Sequence, residues 1–413
     1  MSVLCIFEDV KYKKLLPLVW LKPVYELRCG MRSLMDKIIL NYKNLTIELF
    51  CRDYLKDVVK ERYNYNVNAE IKDNALFING RILMDKPISI EGPEEIGINK
   101  ENDIVYIRVK KENAKLINSE FILDCDLEKI KKTFKNIKII ETNYTLINYS
   151  WDLVHYNPEQ IKNEFVKLAN AGEIQGNIYE RVVIIDKKNI FIGKNSKIKP
   201  GVIIDNEEGP VYIDENVLIE PNAVVQGPTY VGKGSIIRLG AKIREGTSIG
   251  DVCRIGGEVE ESIIHGYSNK QHDGFLGHAY IGMWCNLGAS TNNSDLKNNY
   301  GNVKVYVEGK LIDSGSMFVG LTMADHSKSG IGTTFNTGTV VGVSSNIFGE
   351  GYPPKFIPSF SWGGAKGFVT YRLDDALEVV SKVMARRKKS LTKSEEKLLK
   401  KVFELTTTER AVK

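Results

Sequence analysis

Residues 213–255 read IDENVLIEPNAVVQGPTYVGKGSIIRLGAKIREGTSIGDVCRI. An aliphatic residue recurs in this stretch at every sixth position, without a gap. These residues are Ile213, Ile219, Val225, Val231, Ile237, Ile243, Ile249 and Ile255. A period of six fits neither the α-helix nor the simple strand, whose periods are about 3.6 and 2. It is typical of a parallel β-helix, in which each of these residues points to the axis of a triangular prism.

The hexad pattern extends in both directions from this stretch. Further inward positions are expected at Ile192, Ile198, Ile204, Ile281, Leu287, Val319, Ile331, Val341 and Ile347. The register is interrupted at 257–275 and at 292–316, where we expect loops that leave one face of the prism and build a binding site. Gly232, Gly250 and Gly256 each follow an inward residue, so we expect corners there that a Cβ would crowd.

Composition bounds the class of protein. The 413 residues allow two or three domains, and 57 basic against 52 acidic side chains give a net charge of +5. This charge is too small to indicate nucleic-acid or membrane partners. The six cysteines are scattered without a CxxC pair, which favours reduced thiols in the cytoplasm over disulfides or a zinc site. The N-terminal run is too short and too soon charged for a signal peptide, and no stretch is long enough to span a membrane.

The chain divides into four predicted segments. Residues 1–155 form an α/β domain, because apolar runs such as Leu4–Phe7 and Ile104–Val109 alternate with helical segments such as Met31–Leu40. Residues 156–181 form a linker whose helix, Pro158–Ala171, begins at the proline. The β-helix covers 182–350. A turn-rich stretch and helices at Asp374–Met384 and Lys393–Leu405 complete residues 351–413.

Four motifs follow one another in the β-helix. They are Arg238–Gly250, HDGFLG at 272–277, IGMWCNLGAST at 281–291, and the Asn- and Lys-bearing loop 292–304. Their order resembles the bifunctional sugar-1-phosphate nucleotidyltransferase/acetyltransferases, the family of N-acetylglucosamine-1-phosphate uridyltransferase. The resemblance implies a nucleotidyltransferase-like N-terminal domain, a left-handed β-helix and a homotrimer with sites between neighbouring subunits. It also implies sugar phosphate or nucleotide sugar as substrate and acetyl-CoA as co-substrate.

The resemblance also implies site residues. Acetyl transfer to an amine needs a base, and histidine titrates near neutral pH, so His272 is the predicted catalytic base. The predicted substrate-binding residues are Arg238, Phe275, Asn286, Asn292, Lys297, Lys304 and His326. The three cations among them would bind the sugar's phosphate. Phe275 stands where the family has tyrosine, so one hydroxyl contact is lost.

His272 has a second interpretation. In this interpretation the imidazole only hydrogen-bonds across a loop and has no part in catalysis. His278 is expected at the rim of the coil, and His326 fits a structural role as well as a binding role.

The N-terminal domain departs from an active nucleotidyltransferase. Residues 7–24 contain no glycine, whereas the family cradles the triphosphate with a Gly-rich loop. Arg81, in LFINGRIL, stands where the family has a metal-binding Asp. The domain is therefore interpreted as diverged, without a predicted metal ligand. It could still bind a nucleotide through Lys22, Arg28, Arg32 and Arg81, and Mg²⁺ would be needed only if it is active.

Three hypotheses stay open from the sequence. The first is an acyltransferase acting at the β-helix on an amino-sugar phosphate. The second is a working sugar-phosphate nucleotidyltransferase that the β-helix merely trimerises. The third is a non-catalytic protein that binds nucleotide sugars.

Overall fold

The chain forms two units in the computed structural model, which describes residues 2–134 and 137–411. The N-terminal unit comprises Met1–Leu27, Arg32–Tyr149 and Lys393–Lys401. The β-helix unit comprises Arg28–Met31, Ser150–Thr392 and Val402–Lys413. No helix in the described ranges is both long and apolar enough to cross a membrane.

The N-terminal unit is built on a mixed β-sheet. In spatial order its strands are Asn66–Val67, Thr46–Phe50, Val3–Phe7, Ala75–Asn79, Ile104–Val109, Glu95–Ile98 and Lys138–Glu141. Val3–Phe7 runs parallel to both of its neighbours, whereas Ile104–Val109 is antiparallel to both of its own. The strands predicted from apolar runs are confirmed, because their side chains are buried on both faces.

Short helices complete this unit. The α-helices are Leu34–Ile39, Lys56–Tyr63, Lys111–Ala114, Ser119–Leu123 and Leu127–Thr133, and the 3₁₀ helices are Val10–Leu15, Val24–Glu26 and Asp53–Leu55. The helix expected at Met31–Leu40 begins later, since the Ser33 hydroxyl accepts from the Asp36 N–H and the Asp36 carboxylate accepts from the Ser33 N–H. This capping box fixes the first turn after a short strand, Arg32–Ser33.

The β-helix has three parallel sheets, one per face of the prism. The first face holds Asn177–Ile178, Lys197–Ile198, Leu218–Ile219, Ile236–Ile237, Arg254–Ile255, Asn269–Lys270, Asn286–Leu287, Lys328–Ser329, Asn346–Ile347 and Ser361–Gly364, with Gly367–Thr370 antiparallel at its end. The second holds Val183–Ile184, Ile203–Asp205, Val224–Gln226, Lys242–Ile243, Glu258–Glu260 and Phe275–Gly277. The third holds Ile190–Ile192, Val211–Ile213, Thr229–Val231, Thr247–Asp251, Ile263–Gly266, Tyr280–Met283, Thr322–Met323, Val340–Val341 and Phe356–Ile357.

Smaller elements complete the β-helix unit. Strands Asn292–Asn293 and Thr334–Phe335 pair in parallel, and Lys304–Val307 and Lys310–Asp313 form a hairpin within the second interruption. The short strand Arg28–Cys29 also belongs to this unit. The remaining α-helices of the chain are Ser150–Leu168, Leu373–Ala385, Lys393–Leu405 and Thr407–Ala411.

The hexad residues form the core of the prism, as predicted. All eight from Ile213 to Ile255 are fully buried, and register pairs such as Ile219 with Ile237 stack them coil upon coil. A Cβ on Gly250 would lie 1.9 Å from the His265 carbonyl oxygen, so this corner admits only glycine. The β-helix is therefore confirmed, while its left hand stays a prediction from the resemblance.

Three expectations about these elements are wrong. The coil is not interrupted at 257–275, because Val259, Ile264 and Lys270 occupy inward positions there, on strands paired with the coil before. Ile331 is 82% exposed, and Phe335 faces inward in its coil, in register with Asn293. Pro158 lies inside the helix Ser150–Leu168 rather than at its start, and this helix groups with the β-helix unit. The turn-rich stretch from residue 351 also supplies strands that extend two faces of the prism, Phe356–Ile357 and Ser361–Gly364.

Replacement of Ile237 by alanine should destabilise the β-helix by about 2–5 kcal/mol, because it opens a cavity between two stacked coils. Lys242 is the matched control: it lies in the next strand, its side chain is 64% exposed, and it pairs with Glu258 at 3.5 Å. Lys242→Ala should stay within about 0.5 kcal/mol of wild type. Urea denaturation of the purified proteins measures both values, and equal losses would show that the inward register is wrong.

Candidate functional site

His272 lies where the chain crosses from the first to the second face of the prism. It follows the strand Asn269–Lys270 and precedes Phe275–Gly277, and its side chain is exposed. A Cβ on Gly256 would lie 2.4 Å from the Gln271 carbonyl oxygen and 3.1 Å from Arg238 Cβ. Arg238 and the segment that carries His272 therefore both approach the backbone of Gly256.

Phe275 and Asn292 are joined directly. The Phe275 N–H donates to Asn292 Oδ1 at 2.8 Å, and Asn292 Nδ2 donates to the Ser290 carbonyl at 2.9 Å. Asn292 is thus fixed by the backbone of two coils, beside a half-buried aromatic ring. Asn286 is exposed on the first face, where Asn269 Nδ2 donates to its Oδ1 at 3.4 Å.

Cations on this surface pair with glutamates of neighbouring coils. Arg238 Nη1 lies 2.9 Å from Glu220 Oε1. Lys242 pairs with Glu258, and Arg244 pairs with Glu260. An anionic ligand of Arg238 must therefore compete with a carboxylate that is already in place.

The two predicted lysines lie in the second interruption. Lys297 Nζ donates to the Asn302 carbonyl within its loop. Lys304 begins the hairpin with an exposed side chain, and its carbonyl accepts from Lys355 Nζ at 3.1 Å. Burial lowers the pKa of Lys355, and the nearby charge of Lys297 lowers it further. Three lysines thus surround the start of the hairpin.

His326 is buried at a corner of the prism. Its backbone is left-handed, with φ of +63°, and its ring stacks on Trp284 with centroids 6.3 Å apart. Trp284 in turn stacks on Tyr267 at 4.3 Å. The structure therefore places His326 in an aromatic column, which fits the structural role better than the binding role.

Sequence reasoning missed a cluster beside Phe275, formed by Glu260, His278 and Asp295. Their ligand atoms all lie within 4.8 Å of one another. His278 Nδ1 lies 2.8 Å from Asp295 Oδ2, and a Cβ on Gly277 would meet both that carboxylate and the Phe275 ring. Burial raises the pKa of Glu260, although Arg244 opposes this.

The chemistry of this cluster is that of an imidazole held between carboxylates. One nitrogen and two oxygens would suit a divalent transition metal such as Zn²⁺. Arg244 already neutralises Glu260, so the same atoms also fit a closed ion-pair network. Residues 258–295 supplied no spacing signal for this cluster, because the solenoid brings its members together from three successive coils.

The N-terminal unit contains a buried ion network around Arg81. This guanidinium is fully buried, donates to Asp9 at 2.6 and 2.9 Å, and lies 3.5 Å from Asp103. It also donates to the Ile147 carbonyl and Asn148 Oδ1. Burial alone raises the pKa of Asp9, but Arg81 outweighs it and the pKa is lowered. An internal cation thus stands between the two carboxylates.

The other predicted nucleotide-binding residues are placed separately. Lys22 is only 1% exposed, and its backbone carbonyl accepts a hydrogen bond from Arg52 Nη2 at 2.9 Å. Arg28 belongs to the β-helix unit, where its guanidinium lies over the Tyr230 ring at 5.4 Å. Arg32 is half-buried in its short strand. The burial of Lys22 and the described contacts of Arg28 and Arg81 thus place these side chains among protein groups rather than at an open site.

Comparison with known proteins agrees with this architecture. Residues 4–172 match the family model described as sugar nucleotidyl transferase. A bifunctional sugar-1-phosphate nucleotidylyltransferase/acetyltransferase of Sulfurisphaera tokodaii is 27% identical over 375 residues, which cover 80% of this chain and 88% of that protein. The bifunctional protein GlmU of Clostridium novyi is 25% identical over 64% of this chain and 67% of its own length.

The resemblance to the bifunctional sugar-1-phosphate nucleotidyltransferase/acetyltransferase family is confirmed. Among solved structures, a UDP-N-acetylglucosamine acyltransferase of Francisella novicida is 15% identical, with a TM-score of 0.29, over 56% of this chain and 89% of that one. In the N-terminal unit, the Arg81 guanidinium occupies the space between Asp9 and Asp103.

Replacement of Arg81 by methionine should destabilise the N-terminal unit by about 3–5 kcal/mol at pH 7, because it leaves buried carboxylates without their cation. In wild type the pKa of Asp9 is lowered, so its stabilisation is present above about pH 4 and is lost as the pH falls further. In the variant, burial raises that pKa, so protonation relieves the penalty. The difference between the two proteins should therefore shrink toward pH 4.

The difference in stability between wild type and Arg81→Met is measured at pH 7 and pH 4 by hydrogen exchange of the Ala75–Asn79 amides, corrected for intrinsic rates. Lys11→Met is the control, since Lys11 pairs with Asp103 from a partly exposed position. Its effect should stay near 1 kcal/mol or below. A difference for Arg81→Met that is independent of pH would contradict the assignment to Asp9.

Proposed function

We propose that the β-helix transfers an acetyl group from acetyl-CoA to the amine of an amino-sugar phosphate, with His272 as the base. The observation that carries the proposal is the exposed His272 imidazole on the turn between the first and second faces, where Gln271 and Arg238 both approach the Gly256 backbone. Phe275 and Asn292 follow on the next face and are hydrogen-bonded to each other. The names of the bifunctional relatives support the same reaction.

In this reaction the protein must position the amine and the thioester and must transfer protons. The neutral amine attacks the thioester carbonyl, a C–N bond forms, and the C–S bond breaks. His272 takes the proton that the amine loses, and the departing thiolate of CoA is protonated in turn. Backbone N–H groups at the coil corners would donate to the oxyanion that develops on the carbonyl.

The charged residues at the site favour a phosphorylated acceptor, and they favour one orientation of its phosphate group. Arg238 is partly exposed and could exchange Glu220 for a phosphate, as a planar guanidinium does well. Lys297 and Lys304 lie instead at the second interruption, and no described contact joins them to Arg238. The acidic cluster of Glu260 and Asp295 lies beyond Phe275, where a phosphate would be repelled. The phosphate is therefore placed toward Arg238, and Asn286 and Asn292 are left for sugar hydroxyls.

Alanine in place of His272 should lower turnover by about 10²–10⁴-fold, because it removes the base. The Michaelis constant for the acceptor should change little, since a base acts mainly in the transition state. The assay is CoA release from acetyl-CoA with glucosamine-1-phosphate or galactosamine-1-phosphate. Gln271→Ala, one residue earlier in the same segment, is the matched control and should keep most of the activity.

Two results would count against this function. Wild type without acceptor-dependent CoA release would exclude the acetyltransferase. An active wild type with an equally active His272→Ala variant would keep the reaction but remove His272 as its base. Phe275→Tyr restores the hydroxyl that the family carries and should raise activity, or leave it unchanged if the pocket has repacked.

The second candidate function is nucleotidyl transfer by the N-terminal unit, and the residues of this unit support it only weakly. Its match to the sugar nucleotidyl transferase model favours a fold that once bound nucleotides. However, Arg81 already neutralises Asp9 and Asp103, which would otherwise attract a divalent cation. We therefore favour a diverged domain that does not transfer nucleotides, and a purely binding role for it remains the third alternative.

Wild-type protein should accordingly show no magnesium-dependent release of pyrophosphate at the usual enzyme rates of about 1–10³ s⁻¹. The assay supplies a sugar-1-phosphate with UTP or dTTP, and a parallel reaction without magnesium gives the background. Turnover in that range would establish the nucleotidyltransferase, and the CoA-release assay would then decide whether the β-helix has an activity of its own. The homotrimer, the cytoplasmic location and the absence of nucleic-acid and membrane partners stay predictions from the resemblance and the composition.

A further inference from the structure

Lys270 occupies a place inside the prism that the hexad pattern assigns to an aliphatic residue. Its strand, Asn269–Lys270, is in register with Arg254–Ile255 before it, and Asn269 is in register with Asn286 after it. Lys270 therefore stacks between Ile255 and Leu287, both of which belong to the aliphatic core. It is only 2% exposed.

The Lys270 ammonium is held by backbone carbonyls. Its Nζ donates to the Gly256 carbonyl at 3.1 Å and to the His272 carbonyl at 3.0 Å. The first belongs to the coil before, and the second belongs to the turn that joins the first face to the second. The amine thus reaches from the core to the backbone of His272 itself.

Gly257 makes room for this arrangement. A Cβ there would lie 2.6 Å from Lys270 Nζ, 2.7 Å from the Gly274 carbonyl oxygen and 2.9 Å from the His272 carbonyl oxygen. The backbone of Gly257 is also left-handed, with φ of +70°. Any side chain at 257 would push the amine away from the segment 272–274.

Stability alone does not explain a lysine at this place. Burial of an ammonium disfavours its charged form, and burial lowers the pKa of Lys270 to about 8. A leucine or methionine would fill the same column without that penalty. A residue that breaks the local pattern without a gain in stability points to a functional constraint nearby.

We propose that Lys270 is a positioning residue: from inside the prism its ammonium fixes the His272 carbonyl and so sets the direction of the exposed imidazole. Lys270 touches no substrate. The part that concerns catalysis rests on the proposed function of His272, whereas the hold on the segment 271–275 does not. The two parts are therefore tested by separate measurements.

The first measurement is hydrogen exchange of Lys270→Met, which keeps the length and apolar stem of the side chain but removes the amine. Amides of residues 271–275 should exchange at least tenfold faster, while the urea midpoint of the whole protein stays equal or rises. Leu287→Met is the matched control, since it makes the same replacement in the next coil of the same column. It should leave exchange at 271–275 unchanged.

The second measurement is steady-state kinetics with acetyl-CoA and the amino-sugar phosphates. Lys270→Met should lower kcat at least tenfold, while the KM values for donor and acceptor stay within about threefold of wild type. Lys270→Gln, which retains one donor group, should lie between wild type and Lys270→Met in both measurements. It also replaces Lys270→Met if that variant does not fold.

Unchanged exchange at 271–275 would overturn the proposal. So would uniformly faster exchange with a lowered urea midpoint, because that result describes a residue that only stabilises the core. If wild type shows no acetyl transfer, the proposed function of His272 fails, and the exchange measurement alone still decides whether Lys270 holds the segment.

Discussion

Direct stacking of one inward side chain upon another holds the β-helix together. The inward side chain of each coil must lie directly over that of the coil below. A shift of one residue along the strand would therefore place a polar residue in the core. The corners are equally constrained, because the backbone of the next coil lies within reach of any added Cβ, as at Gly250. The fold therefore tolerates extra residues only as loops that leave one face.

The candidate site follows from that constraint. His272 lies in a turn between two faces, and Asn292, Lys297 and Lys304 lie in or beside the second interruption. The stack places Phe275 two coils from Arg238 and Asn292 one coil further, although more than 50 residues of chain separate Arg238 from Asn292. Loops supply the chemical groups, and the rigid stack of coils supplies their distances.

Lys270 connects the core to the site. It is the one inward position in the described first face, from Ile198 to Leu287, that carries a charge. Its amine donates to the carbonyls of Gly256 and His272, which lie at the corners of two successive coils. The N-terminal unit also has a buried cationic side chain, because Arg81 fills the space between two carboxylates. In both places the chain supplies its own cation.

The sequence by itself determined the architecture and the order of the site motifs. The spacing of six fixed the β-helix because only a prism with three short faces per coil buries such a pattern, and apolar runs fixed the strands of the N-terminal sheet. It also singled out Arg81, since a cation stood in an unexpected place. Helix limits were less accessible, as capping by Ser33 and the interior Pro158 show.

Only the tertiary structure decided which charges meet. Arg238 with Glu220, and His278 with Asp295, are 18 and 17 residues apart in sequence, and their meeting depends on the length of each coil. Lys270 reads as a polar interruption in the sequence, yet it lies in the core because the register resumes one coil earlier than the hexads suggest. Side chains of successive coils become neighbours through stacking, and linear spacing does not reveal that contact once the coils differ in length.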